Sequence, residues 1–120
     1  MISRKNRFHG RSGLNYVYKR GRSVRGPLMS LKYAPSKGHT DYRLAVVVSR
    51  KVNKSAVVRN RIRRRLYEDV RHLAEQFSSV NDQIIVVYSD ELADLSAVKL
   101  SKMVRRLFEQ ADIIQPVAKK

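Results

Sequence analysis

The chain has 120 residues, no cysteine and a formal net charge of +16. That length suits one domain with a core of its own, and the missing cysteines exclude disulfides and a thiolate metal site. No apolar run approaches the ~20 residues of a membrane span and no stretch near the start reads as a signal peptide, so the expectation is a cytoplasmic protein without a membrane partner.

The charge is unevenly placed. Residues 1–67 hold 19 Lys and Arg against Asp41 alone, a balance of +18, whereas residues 68–120 balance to −2. A field so lopsided is aimed at a polyanion, with nucleic acid well ahead of an anionic membrane surface.

Residues 1–13, MISRKNRFHGRSG, read as a flexible basic arm carrying Phe8, able to settle along a nucleic-acid backbone. From Leu14 to Arg20, Leu14, Val17 and Tyr18 share a helical face while Tyr16 and Tyr18 would align on a strand; a short helix stopped by Gly21 is favoured. After Gly26-Pro27, residues 28–33 alternate, with Met29, Leu31 and Tyr33 on one face. A loop at 34–38 leads to a strand at 42–49, and the spacing predicts that the two strands pair as a hairpin. Leu44, Val46 and Val48 face inward, and Arg43, Ala45, Val47 and Ser49 outward. This small-residue strip, flanked by Lys32, Arg43, Arg50 and Lys51, is either the floor of a groove or a sheet face covered by another element.

The most informative stretch follows. Val58, Ile62, Leu66, Val70, Leu73 and Phe77 recur at the spacing of a helix laid on a core. Asn60, Arg61, Arg63 and Arg64 project away from that stripe, and Arg59 and Arg65 lie at its borders, where alkyl stems can run along apolar surface. Arg50, Lys51, Lys54, Arg59, Arg61, Arg63, Arg64 and Arg65 stand without an acid among them. Like charges at i, i+4 repel by a few tenths of a kcal/mol, so a solvated face would interleave signs. A preponderance of Arg favours forked contacts to phosphate. Asp69 projects inside the stripe, with Arg65 as its expected partner.

Residues 78–82 form a turn, and Ile84 to Tyr88 read as an interior strand parallel to 42–49, which makes a crossover through the basic helix. Ser96 caps a last helix bearing Leu100, Met103, Val104, Leu107, Phe108 and Ala111, and residues 115–120 form a frayed tail. The order predicts an α+β sandwich, helices on one mixed sheet. Its histidines are dispersed, and no phosphate loop or nucleophile motif is present. Asp90, Glu91 and Asp94 suit the start of a helix better than a metal site.

The segment Arg50-Lys51-Val52 through Ala56-Val57-Val58-Arg59-Asn60-Arg61-Ile62-Arg63-Arg64 resembles the RNR signature of the bacterial ribonuclease P protein component. Lys5-Asn6-Arg7-Phe8, Tyr16 to Gly21, Arg43 to Ser49 and Ile84 to Val87 extend the likeness over most of the chain. The resemblance implies an αβββαβα two-layer sandwich with a four-stranded mixed sheet and a left-handed crossover, as in a ribosomal-protein domain. It also implies a ribonucleoprotein endoribonuclease whose RNA subunit, with Mg²⁺, removes the 5′ leader of precursor tRNA. The protein then supplies no catalytic residue, holds no metal tightly and needs no protein partner. By matching positions, Arg50, Lys51, Lys54, Arg59, Asn60, Arg61, Arg63, Arg64 and Arg65 would face ribonuclease P RNA. Phe8, Leu14, Tyr18, Lys32, Arg43, Val47 and Ser49 would line a leader groove. Leu14 stands where the family often has Phe, which removes one stacking ring. A structural, ribosomal-type RNA binder is the alternative; a nucleoid-type DNA binder is disfavoured by the absence of a helix-turn-helix pattern.

Overall fold

A computed structural model describes Asn6, Phe8, residues 11–36 and residues 41–115. The elements run α1 (Arg11–Arg20), β1 (Arg22–Arg25), β2 (Met29–Pro35), β3 (Arg43–Val47), α2 (Ala56–Leu73), β4 (Asn81–Val87) and α3 (Ala97–Gln110), with short 3₁₀ turns at Ala74–Gln76 and Asp90–Ala93. This is the αβββαβα order. Arg11 to Gly13, expected to be part of the basic arm, belong to α1, and most of the arm and of the 115–120 tail lies outside the described residues.

The sheet order is β1-β2-β4-β3, antiparallel except between β3 and β4. The expected crossover from β3 through α2 to β4 is therefore present. The expected hairpin between 28–33 and 42–49 is not, because β4 lies between those strands: Leu31 pairs with Ile85, and Ile85 with Val46. Alternation fixes which face a side chain takes but not which strand lies alongside. The αβββαβα order implied by the resemblance called for this third early strand, but periodicity did not mark its place, since Val24 is the only apolar residue in Arg22–Arg25.

One sheet face carries Met29, Leu31, Leu44, Val46, Ile85 and Val87 beneath α2 and α3, whose Ile62, Leu66, Val70, Leu73, Leu100, Val104, Leu107 and Phe108 complete the main core. Helix α2 ends at Leu73 rather than running to Phe77. A 3₁₀ turn then swings Phe77 between the rings of Tyr42 and Phe108, 5.2 and 5.5 Å from its own. Helix α1 lies on the opposite face, where Val17 packs with Ala34 and Ile84. Gly21 ends it, donating its N–H to the Val17 carbonyl at 2.8 Å. A Cβ there would run into the carbonyl oxygens of Val17 and Tyr33, so only glycine lets α1 dock this closely on β2.

Candidate nucleic-acid interface

The interface starts where β3 hands over to α2. Ser49, Arg50 and Lys51 emerge exposed in a turn closed by the Val52 N–H to the Ser49 carbonyl, 3.1 Å. The Asn53 side chain accepts from the Ser55 N–H at 2.8 Å and donates to Asp90 at 3.0 Å. Ser55 then caps the helix, its hydroxyl accepting from the Val58 N–H at 3.4 Å.

Of the arginines on α2, the five from Arg59 to Arg65 divide by what holds them. Arg59 donates to the carbonyls of Asn53 and Lys54, at 3.0 and 2.8 Å, and so braces the turn before its own helix. Arg63 donates to the Asn60 side chain at 2.6 Å and reaches the Val48 carbonyl at 3.4 Å. Arg65 donates to the Leu92 carbonyl at 2.7 Å and to that of Leu95. Arg61 comes within 3.9 Å of Asp94, an exposed pair of little energetic weight. The Arg64 side chain is exposed and engages no protein group among the described residues, and the same holds for the side chains of Arg50, Lys51 and Lys54. Arg59 and Arg65, at the borders of the stripe, are thus spent on backbone carbonyls. Arg65 is not the ion-pair partner expected for Asp69, which instead accepts from the Ser101 hydroxyl on α3 at 3.2 Å. Turn carbonyls fixed at the end of a chain reversal outcompete a neighbour one helical turn away.

The second half of the interface is the sheet face that α1 only partly covers. The two readings of the small-residue strip divide it between them. Phe8, Leu14, Tyr16 and Ala45 pack with Val17 and Ile84 at the covered end, whereas Val47 is 38% and Tyr18 50% exposed at the open end. The Lys32 ammonium lies 5.9 Å from the centre of the Tyr18 ring, a cation–π arrangement.

Arg43 has a different fate. Its guanidinium grips Asp82 with two hydrogen bonds of 2.9 and 2.6 Å and lies 4.7 Å from the Phe8 ring centre. The two residues are register partners on the parallel strands β3 and β4, and Asp82 is 1% exposed. The Asp82 hydrogen bonds push the Arg43 pKa up. Phe8, Leu14 and Arg43 therefore form the closed end of the groove, and Tyr18, Lys32, Val47 and Ser49 its open part. Asp82 had no sequence signal, since nothing local marks a partner 39 residues away.

Among the described residues no three His, Asp or Glu side chains converge. Asp90 accepts from Asn53, Glu91 accepts from the Ser89 hydroxyl at 3.2 Å, and Asp94 turns to Arg61. Each of these carboxylates is thus turned to a different protein partner.

What this arrangement can do is bind a strand of phosphates along a helix start while offering unpaired bases an apolar floor and a ring. It defines an RNA-binding α+β protein. The sequence model of the family Ribonuclease P matches residues 2–112, and the chain belongs to that family. It is 33% identical to the ribonuclease P protein component of Roseiflexus castenholzii over 82% of this chain and 80% of that one. The identity to the component of a Pseudanabaena species is 31%, over 95% and 97% of the two chains. The fold is shared with the RNase P protein of Staphylococcus aureus, at a TM-score of 0.79 and 21% identity over 92% of this chain and 98% of that one. That of Thermotoga maritima gives 0.76 and 20% over 87% and 96%. The chain is a protein subunit of the ribonucleoprotein endoribonuclease ribonuclease P.

Proposed function

We propose that this subunit carries the single-stranded 5′ leader of precursor tRNA across the open half of its sheet while α2 docks on ribonuclease P RNA in the cytoplasm. Exposed Arg50, Lys51, Lys54, Asn60, Arg61 and Arg64 are the docking set. Arg59, Arg63 and Arg65 hold the surface that presents them. The leader meets Tyr18, Lys32, Val47 and Ser49. Catalysis rests with the RNA subunit and its Mg²⁺, which the protein assists by screening RNA–RNA repulsion and by fixing the leader's path.

The observation that carries this reading is the half-exposed Tyr18 ring beside Lys32, at the edge of a floor where Val47 is left open. A structural RNA binder needs the cationic helix but has no use for a groove with a stacking ring. The test is precursor-tRNA cleavage by a bacterial ribonuclease P RNA at low Mg²⁺, with and without the protein. Cleavage at the mature 5′ end is expected only with both present. Tyr18→Ala then weakens precursor binding about tenfold, the scale of one lost base stack, and leaves affinity for the RNA subunit unchanged. Equal loss of both removes the groove from the account.

A further inference from the structure

The open sheet face does not end at Tyr18 and Lys32. Along β4, Ile84 lies under α1, Val86 is half-buried, and the next residue of the same alternation, Tyr88, is 43% exposed. The Tyr88 N–H donates to the Leu28 carbonyl at 2.8 Å, which carries the β2–β4 ladder one step beyond its last pair, Met29 with Val87. From the edge strand β1, Arg25 pairs with Ser30, itself the partner of Val86. Its guanidinium lies 5.2 Å from the centre of the Tyr88 ring.

This repeats, at the far end of the strip, the chemistry of the first pair. Lys32 stands opposite Ile84, and Tyr88 lies four residues further on, just past the end of β4, about 14 Å at the ~3.4 Å per residue of an antiparallel strand. Between the two pairs the floor is Ser30 and Val86, without charge. The only acid on any of the four strands is Asp82, already neutralised by Arg43 at the closed end. A polyanionic strand crossing from Tyr18 to Tyr88 therefore meets a ring and a cation at each end and no carboxylate of the sheet between. An exposed tyrosine beneath an arginine is an ordinary surface feature by itself. Two such pairs on one face, two steps of the strand alternation apart and aligned over an uncharged floor, are a track.

We propose that Arg25 and Tyr88 form a second stacking site for the single-stranded RNA on this groove, engaging nucleotides a few positions away from those at Tyr18 and Lys32. The Tyr88 ring takes an unpaired base, and Arg25, held over that ring before RNA arrives, meets the adjoining phosphate. The site rests on the leader reading above and extends it: affinity depends on leader length in two increments rather than one.

The experiment uses the holoenzyme reconstituted with a bacterial ribonuclease P RNA and precursor tRNAs whose leaders are trimmed one nucleotide at a time. Equilibrium binding is compared for the native protein, Tyr18→Ala, Tyr88→Ala, Tyr88→Phe and Arg25→Gln. Affinity of the native enzyme is expected to rise in two steps with leader length. Tyr88→Ala should abolish one step, about tenfold, at leader lengths different from those affected by Tyr18→Ala. Tyr88→Phe should keep it. Arg25→Gln should lower the salt dependence at the same lengths by ~0.7 per lost phosphate contact. The proposal is overturned if Tyr88→Ala costs the same at every leader length, as a structural defect would, or costs nothing while Tyr18→Ala still shows its step. If neither variant changes affinity at any length, the groove reading fails first and this site with it.

Discussion

Helices α2 and α3 pack on the same sheet face, each is capped by a serine, and each buries a stripe of leucine and valine. Both also carry several cations outward. The difference is where those cations go. On α3, Arg105 turns to side chains, donating to Gln76 at 2.9 Å and approaching Glu109 at 3.7 Å. On α2, Arg59 and Arg65 reach past the helix to backbone carbonyls and hold the turns at 53–54 and 92–95. Counting charge overstates what α2 offers a partner. A guanidinium whose donors are already taken by carbonyls is a strut, and the binding surface is what remains.

That division can be broken experimentally, and Arg43 is the sharpest place to try. Arg43→Met leaves Asp82 buried without a partner and should lower unfolding free energy by about 3–5 kcal/mol, read from the urea midpoint. The double variant Arg43→Met, Asp82→Leu should recover most of that loss. A wild-type midpoint for the single variant would return Arg43 to the RNA-binding set.

Arg65 and Arg64 are adjacent on α2 and should behave oppositely. Arg65→Ala removes two charged hydrogen bonds to carbonyls and should cost about 2 kcal/mol of stability. Arg64→Ala should leave the midpoint within about 0.5 kcal/mol while lowering the salt slope of RNA binding by ~0.7–0.9. Equal stability losses would erase the distinction between struts and free cations.

The smallest effect concerns the seam between the two helices. Burial pushes the Asp69 carboxyl up from its ordinary 3.8, against the Ser101 hydrogen bond and the nearby Arg65 charge. One of its oxygens is buried without a partner. A carboxyl whose folded pKa is raised costs stability once pH exceeds its unfolded value, and that cost disappears as pH falls back. Asp69→Asn should therefore raise the urea midpoint at pH 7, and its advantage should vanish as pH approaches 3.8. A lower midpoint at pH 7 would mean that the arginine and histidine fields outweigh burial.

The sequence was most legible where the physics is local. The stripe of α2 as far as Leu73, the cap Ser96 and the stop at Gly21 all depend on residues within a turn or two, and the structure keeps each. The sorting of arginines was only half legible. Periodicity put Arg59 and Arg65 at the stripe's borders, but their acceptors are carbonyls whose positions are set by other turns. The β2–β3 hairpin and the Arg65–Asp69 pair were misjudged, and the Arg43–Asp82 pair went unread, for one shared reason: each true partner comes from a distant segment. A pairing across 39 residues leaves no trace in spacing. The groove was legible as a strip of small side chains, yet how far α1 would cover it depended on a tertiary docking that periodicity does not encode.

The place of β4 has a consequence for how the chain is made. β2 and β3 share no ladder; they are joined to one another only through residues 81–87. Until those residues leave the ribosome, no ladder can join β3 to the β1–β2 hairpin, and a lone hairpin is marginal in water. The half of the chain with a balance of +18 thus emerges unclosed, beside the ribosome's own RNA. Folding becomes possible only when its last strand is supplied, so the cationic helix acquires its struts and its free face together, late in synthesis.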